Sequence, residues 1–210
     1  MDNQREQMDE IRKDVLKEIA NIGSGHAATA LAALLGRPIE QSVPNILLVP
    51  LADMPGLLGG AEKVIVAGLL EISGGFSGYL ILFLDLDQTE RIISLVKGEE
   101  PKRGEKLHLK DFSDMDESIL SETVNIMGGS YLSAISELTG LNALLSVPSL
   151  CMDMVGSILS IAAAEVGKTG DYALLFRSEL FNNEERIIGD LFLLPDETSC
   201  SKILESLGFI

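Results

Sequence analysis

The chain has 210 residues, 46% of them hydrophobic but only 5% aromatic and none of them Trp, enough for one large domain or two intimate halves around an aliphatic core. Its formal charge of −16 argues against nucleic acid or an anionic membrane as partner, because both need a cationic patch, and suits a protein that is basic around its contact face. Cys151 and Cys200, both in apolar surroundings, read as buried thiols rather than a disulfide, and the polar start Met1-Asp2-Asn3-Gln4 does not look like a signal peptide, so a soluble cytoplasmic protein is expected.

Residues 8–35 read as a long helix, with Val15, Ile19 and Ile22 on one apolar face and Gly36-Arg37-Pro38 as its stop. A short strand is expected over 43–49, starting near Pro44. Residues 64–84 are nearly all apolar and about as long as the roughly 20 residues of a membrane span. Glu71 interrupts them, and Gly74, Gly75 and Gly78 break them, so they read as a hairpin of two buried strands, 63–72 and 76–84. A helix follows over 87–97, with Asp87 as N-cap and Gly98 as stop. Residues 98–114 are charged and carry Pro101 and Gly104, the composition of a linker.

The second half repeats the order. A helix is expected over 115–139, stopped near Gly140, then strands at 147–154, 157–166, 171–181 and 187–194, the last closed by Pro195, and a terminal helix over 197–207. The halves, about 8–97 and 115–207, each read as helix, strands, helix. Neither has a strong self-sufficient signal. The expected fold is therefore α/β: one fused, duplicated pseudo-two-fold unit with a mostly antiparallel sheet and the two long helices packed on it.

The repeat is more than a pattern of hydrophobicity. Asp14, Glu18, Asn21 and Pro44 recur as Ser118, Glu122, Asn125 and Pro148, each 104 residues on. Without a gap, residues 14–44 and 118–148 are identical at eleven of thirty-one positions, so an acid and an amide are kept together at fixed spacing. Positions i, i+4 and i+7 fall within about 60° of one another on a helix. Each trio thus stands beside the apolar face. Thr123 in place of Ile19 makes the second apolar face imperfect.

A carboxylate one turn from an amide can ion-pair with a lysine of another protein while the amide, donor and acceptor at once, holds a water in line with a reacting atom. Orienting an attacking water is much of the task in assisted phosphoryl hydrolysis. The bland alternative is a solvated helix face with an incidental Asn, which exact duplication disfavours, since Asn is a poor helix former. Gly23-Ser24-Gly25 and Gly128-Gly129-Ser130 place glycines inside both helices at about 1 kcal/mol each relative to Ala. Approach of another backbone, or tight packing of the two long helices, would justify that cost.

The pattern Asp/Ser-x3-Glu-x2-Asn-x22-Pro, present twice, resembles the signature of the CheC/CheX/FliY family of chemotaxis phosphatases. Lys17-Glu18-Ile19-Ala20-Asn21-Ile22-Gly23-Ser24-Gly25 looks like that family's first active-site helix, and Ser121-Glu122-Thr123-Val124-Asn125-Ile126-Met127-Gly128-Gly129 like its second. Length and two sites in one chain fit the CheC branch, without the extra carboxy-terminal domain of FliY. The resemblance implies hydrolysis of the aspartyl phosphate on the response regulator CheY, with catalytic Glu18, Asn21, Glu122 and Asn125. The Asn residues would orient water and the Glu residues would dock a CheY lysine. Asp14 and Ser118 would bind substrate, and Pro44 and Pro148 would be structural. No cofactor of the protein's own is implied: the Mg2+ belongs to CheY, and no metal cluster stands out. The receptor deamidase CheD is the implied regulatory partner, with Asp153, between Met152 and Met154, as its contact, and a pseudo-symmetric monomer is expected. The alternative is a non-catalytic adaptor that binds CheY or CheD in the flagellar switch.

Other signals carry less. Gly23-x-Gly25-x-x-Ala28 follows no strand, unlike a dinucleotide fingerprint. Asp85 and Asp87 mark a strand-to-helix turn. His26 has Ser130 as its counterpart, which argues against a required catalytic role, and an edge-strand charge would also account for Asp153.

Overall fold

The computed structural model describes residues 2–41, 45–100, 112–165, 172–182 and 185–208. Two core clusters explain why residues 64–84 are nearly all apolar. Strands β3 (Val64–Gly74) and β4 (Gly78–Leu84) pair antiparallel from Val66↔Leu84 to Ile72↔Gly78. Alternate side chains leave opposite faces of this hairpin. Val66, Leu70, Ile72, Leu80, Leu82 and Leu84 enter one cluster, and Ile65, Ala67, Ile81 and Phe83 the other. A strand covered on both faces has no polar alternation to show. Among the described residues no helix is long and apolar enough to cross a membrane.

The remaining strands are β1 (Glu40–Gln41), β2 (Asn45–Pro50), β5 (Ala143–Leu145), β6 (Ser149–Met154), β7 (Tyr172–Asn182) and β8 (Glu185–Pro195). The hairpins β3–β4 and β7–β8 meet through β4 and β8, from Gly78↔Pro195 to Phe83↔Asp190. The outer strand of each hairpin then takes the first strands of the other half: β1 and β2 lie on β7, and β5 and β6 on β3, all antiparallel. The order β2-β7-β8-β4-β3-β6 is palindromic by half.

One face of the sheet carries α1 (Asp2–Leu35), α3 (Leu86–Lys97) and α4 (Asp114–Thr139), whose apolar residues join the first cluster. Helix α1 begins earlier than residue 8. Gly98 and Gly140, both at φ 70° in the left-handed region, end α3 and α4 as expected. The N-cap of α3 is Asp85 rather than Asp87; its carbonyl accepts from the Thr89 amide at 2.8 Å and its carboxylate pairs with Lys63 at 2.6 Å. The opposite face is covered by α2 (Met54–Leu57), after a 3-10 turn at Leu51–Asp53, and by α5 (Val155–Glu165). Residues 157–166 were expected as a strand, yet α5 occupies the place 104 residues after that turn. Val155 and Ile158, three apart, are both buried in the second cluster, as a helix requires. A short apolar run does not distinguish the two by pattern alone. Helix α6 (Glu197–Ser206) closes the described chain.

The helix glycines have different reasons. A Cβ on Gly23 would lie 2.8 Å from Tyr131 Cδ1 and 3.1 Å from Tyr131 Cα, so α1 meets α4 where no side chain fits. Gly23→Ala is expected to cost about 1–3 kcal/mol in urea denaturation, because the Tyr131 backbone cannot rotate away. Gly129 has nothing within 4 Å of an added Cβ, and Gly129→Ala should be neutral or stabilising by up to about 1 kcal/mol.

Candidate active site

The site in the second half begins with how α4 is anchored. Ser113 caps it. The Ser113 hydroxyl accepts from the Asp116 amide at 3.3 Å, and the Asp116 carboxylate accepts from the Ser113 amide and hydroxyl at 2.9 and 2.7 Å. Lys97, at the end of α3, reaches Asp116 at 2.5 Å. Burial alone would push this carboxyl up; the hydrogen bonds from Lys97 and Ser113 outweigh it and hold Asp116 below the ordinary aspartate range. The inward face of α4 then seats on the sheet. Val124 occupies the space that a side chain on Gly68 would fill, and Leu70 presses on Gly128. Buried Thr123 is tolerated where the first copy has Ile19 because its hydroxyl donates to the Ile119 carbonyl at 2.8 Å.

With that face buried, Ser118, Glu122 and Asn125 stand exposed on the opposite stripe. They form one wall of an open groove of about 730 Å³. Asp114, Glu117 and Ser121 extend this wall, and Leu145, Ser146, Val147 and Pro148 make the other. The structure thus brings Glu122, Asn125, Ser118 and Pro148 together although Pro148 is 23 residues from Asn125 in sequence. Asp114, Glu117, Ser121, Leu145, Ser146 and Val147 were not singled out for the site by sequence, although Val147 belongs to the repeat.

On α1, Asp14, Glu18 and Asn21 are likewise exposed, while Ile19 and Ala20 are buried. Asp14 lies 3.8 Å from Lys17, an exposed pair that contributes little. Ser24, fully buried, donates to the Asn21 carbonyl at 3.3 Å. Pro44 lies outside the described residues. Asp153 is exposed on β6 and does not line the groove; its carboxylate accepts from the Met154 amide at 2.7 Å. Cys151 and Cys200 are free, and burial pushes both thiols up. His26 is exposed. Among the described residues no three His, Cys, Asp or Glu are arranged to hold a metal ion.

The model of the CheC-like family matches residues 11–48 and 115–152. The two matches are offset by the same 104 residues and contain both trios. The chain is 31% identical over 203 residues, 95% of each chain, to the CheY-P phosphatase CheC of Bacillus subtilis. The chain belongs to the CheC-like family. The fold of this CheC-like protein is shared with Thermotoga maritima FliY, at TM-score 0.71 and 21% identity over 93% of this chain and 95% of that one. It is also shared with a chain of the CheX–CheY–BeF3–Mg2+ complex from Borrelia burgdorferi, at TM-score 0.51 and 16% identity over 84% and 97%.

The anchoring of α4 has a pH signature. A carboxyl held low contributes stability that is fully present above its unfolded value, near 4, and is lost as pH falls through the folded value. Asp116→Ala is expected to lower stability at pH 7 by about 1–2 kcal/mol through loss of the capping box and ion pair. The gap between variant and wild type should narrow as pH falls below the ordinary aspartate value in urea titrations.

Proposed function

We propose that this chain is a phosphatase that hydrolyses the aspartyl phosphate of CheY. The observation that carries the reading is the exposed pair Glu122 and Asn125 on one stripe of α4 at the wall of an open groove, with Glu18 and Asn21 repeating it on α1. The Asn amide holds a water in line with phosphorus. The water oxygen attacks phosphorus, the bond to the aspartyl oxygen breaks, and inorganic phosphate and a free CheY carboxylate result. The Glu carboxylate pairs with a CheY lysine and aligns the two proteins. Mg2+ on CheY carries the electrostatic stabilisation of the phosphoryl oxygens, so the phosphatase needs to add only position and a water.

Two sites in one chain make a monomer sufficient. A separate surface serves regulation: Asp153 and Met154 are exposed on β6, an outer strand of the sheet, which supports this place as the contact for CheD. Asp153→Lys is expected to abolish CheD binding in a pull-down while leaving phosphate release intact; unchanged binding removes Asp153 from that role.

Phosphate release from labelled phospho-CheY tests the main reading. Glu18→Ala/Asn21→Ala and Glu122→Ala/Asn125→Ala should each remove one site's share. The quadruple variant should fall to the rate of CheY alone. Full activity in the quadruple variant refutes the site, and tight CheY binding by an inactive wild type favours a non-catalytic adaptor.

A further inference from the structure

The groove has a second wall whose form is unusual. Strand β3 pairs Ile72 with Leu145 and Leu69 with Ser149. Between these points, three residues of the second half, 146–148, face two of β3, so the strand bulges by one residue. Ser146 holds the bulge. Its amide donates to the Glu71 carbonyl at 2.9 Å, its hydroxyl accepts from the Glu71 amide at 2.9 Å, and the same hydroxyl donates to the Val147 carbonyl at 3.0 Å. One side chain thus stands in for the ladder bond that the bulge interrupts.

The consequence is that Val147 is 85% exposed, and nearby Leu144 is 72% exposed. Single exposed apolar residues are ordinary, but Val147 has two further properties. It lines the same groove as Glu122 and Asn125. It also recurs: Ser42-Val43-Pro44 repeats Ser146-Val147-Pro148, although the two copies differ at twenty of thirty-one positions. Core packing does not require a valine at a position this exposed. A constraint from outside the chain would. The facing wall carries Asp114, Glu117 and Glu122, so the occupant is cationic where it meets α4 and apolar where it meets the bulge.

We propose that Val147, presented by the Ser146-held bulge, is a docking residue of the second site and seats against an apolar spot beside the phosphoacceptor on the receiver domain of phosphorylated CheY. This rests on the phosphatase reading, because a phosphoryl group delivered to Asn125 brings its carrier into the groove that Val147 lines. Val147 sets affinity, not the chemical step, and Ser146 is a positioning residue that acts through it.

The test is binding of fluorescently labelled CheY, activated with beryllium trifluoride and Mg2+, to the protein in a Glu18→Ala/Asn21→Ala background, so that only the second site is read. Val147→Ser is expected to weaken Kd about tenfold, the scale of one buried valine side chain. Val147→Ile should keep wild-type affinity. Ser146→Ala should weaken Kd a few-fold and Ser146→Thr, which keeps the hydroxyl, should restore it. In turnover, Val147→Ser should raise KM and leave kcat within about twofold. Unchanged Kd in Val147→Ser overturns the proposal, as does a change confined to self-association in sedimentation, which would assign the surface to a second copy of this chain. The phosphatase reading fails separately, through absence of phosphate release by the wild type, and that outcome does not alter what the binding arm decides.

Discussion

Everything in this molecule depends on the exchange of first strands between halves. Each half folds back a hairpin, β3–β4 or β7–β8, and leaves its outer edge open. The other half supplies the strands that cover it, β5 and β6 on β3, and β1 and β2 on β7. An uncovered edge is a row of unpaired amides and carbonyls that invites aggregation. Neither half covers the outer strand of its own hairpin, which accounts physically for the weak self-sufficiency of each half in sequence.

The exchange also makes the second site composite. Its helix wall, α4, and its bulge wall, 146–148, belong to the second half, but the bulge is clamped to Glu71 of the first. The seating of α4 crosses the same boundary, through Gly68 and Leu70 of β3. Site and fold are therefore coupled. Helix α4 of the second half lies closely on strand β3 of the first, where Val124 fills the space a side chain on Gly68 would take.

Charge completes the picture. The chain is strongly acidic, and the described groove concentrates carboxylates along its helix wall while leaving its strand wall apolar. Such a surface attracts a basic protein face at long range and discriminates by shape at short range. The proposed chemistry then asks little of the protein: a water held by an amide and a partner aligned by a carboxylate. This suits a site made of exposed helix residues rather than a deep pocket.

The site helices were legible in sequence because their information is local. Glu18 and Asn21, like Glu122 and Asn125, are tied by helical spacing alone, and Gly98 and Gly140 announce helix ends through left-handed backbone that glycine adopts without strain. The hairpin was legible because its two glycine-marked strands are neighbours in the chain. Tertiary structure alone decided the rest. Residues 155–165 became a helix because Val155 and Ile158 had a sheet face to cover, a fact absent from a short apolar run. The crossed pairing of halves is a non-local choice between edges that look alike in sequence. The bulge that exposes Val147 exists only where Ser146 finds Glu71, 75 residues earlier in the chain. Sequence by itself determined which residues repeat and which helix faces they share; packing decided what stands opposite them, because hydrogen-bond partners distant in sequence are chosen only when the sheet assembles.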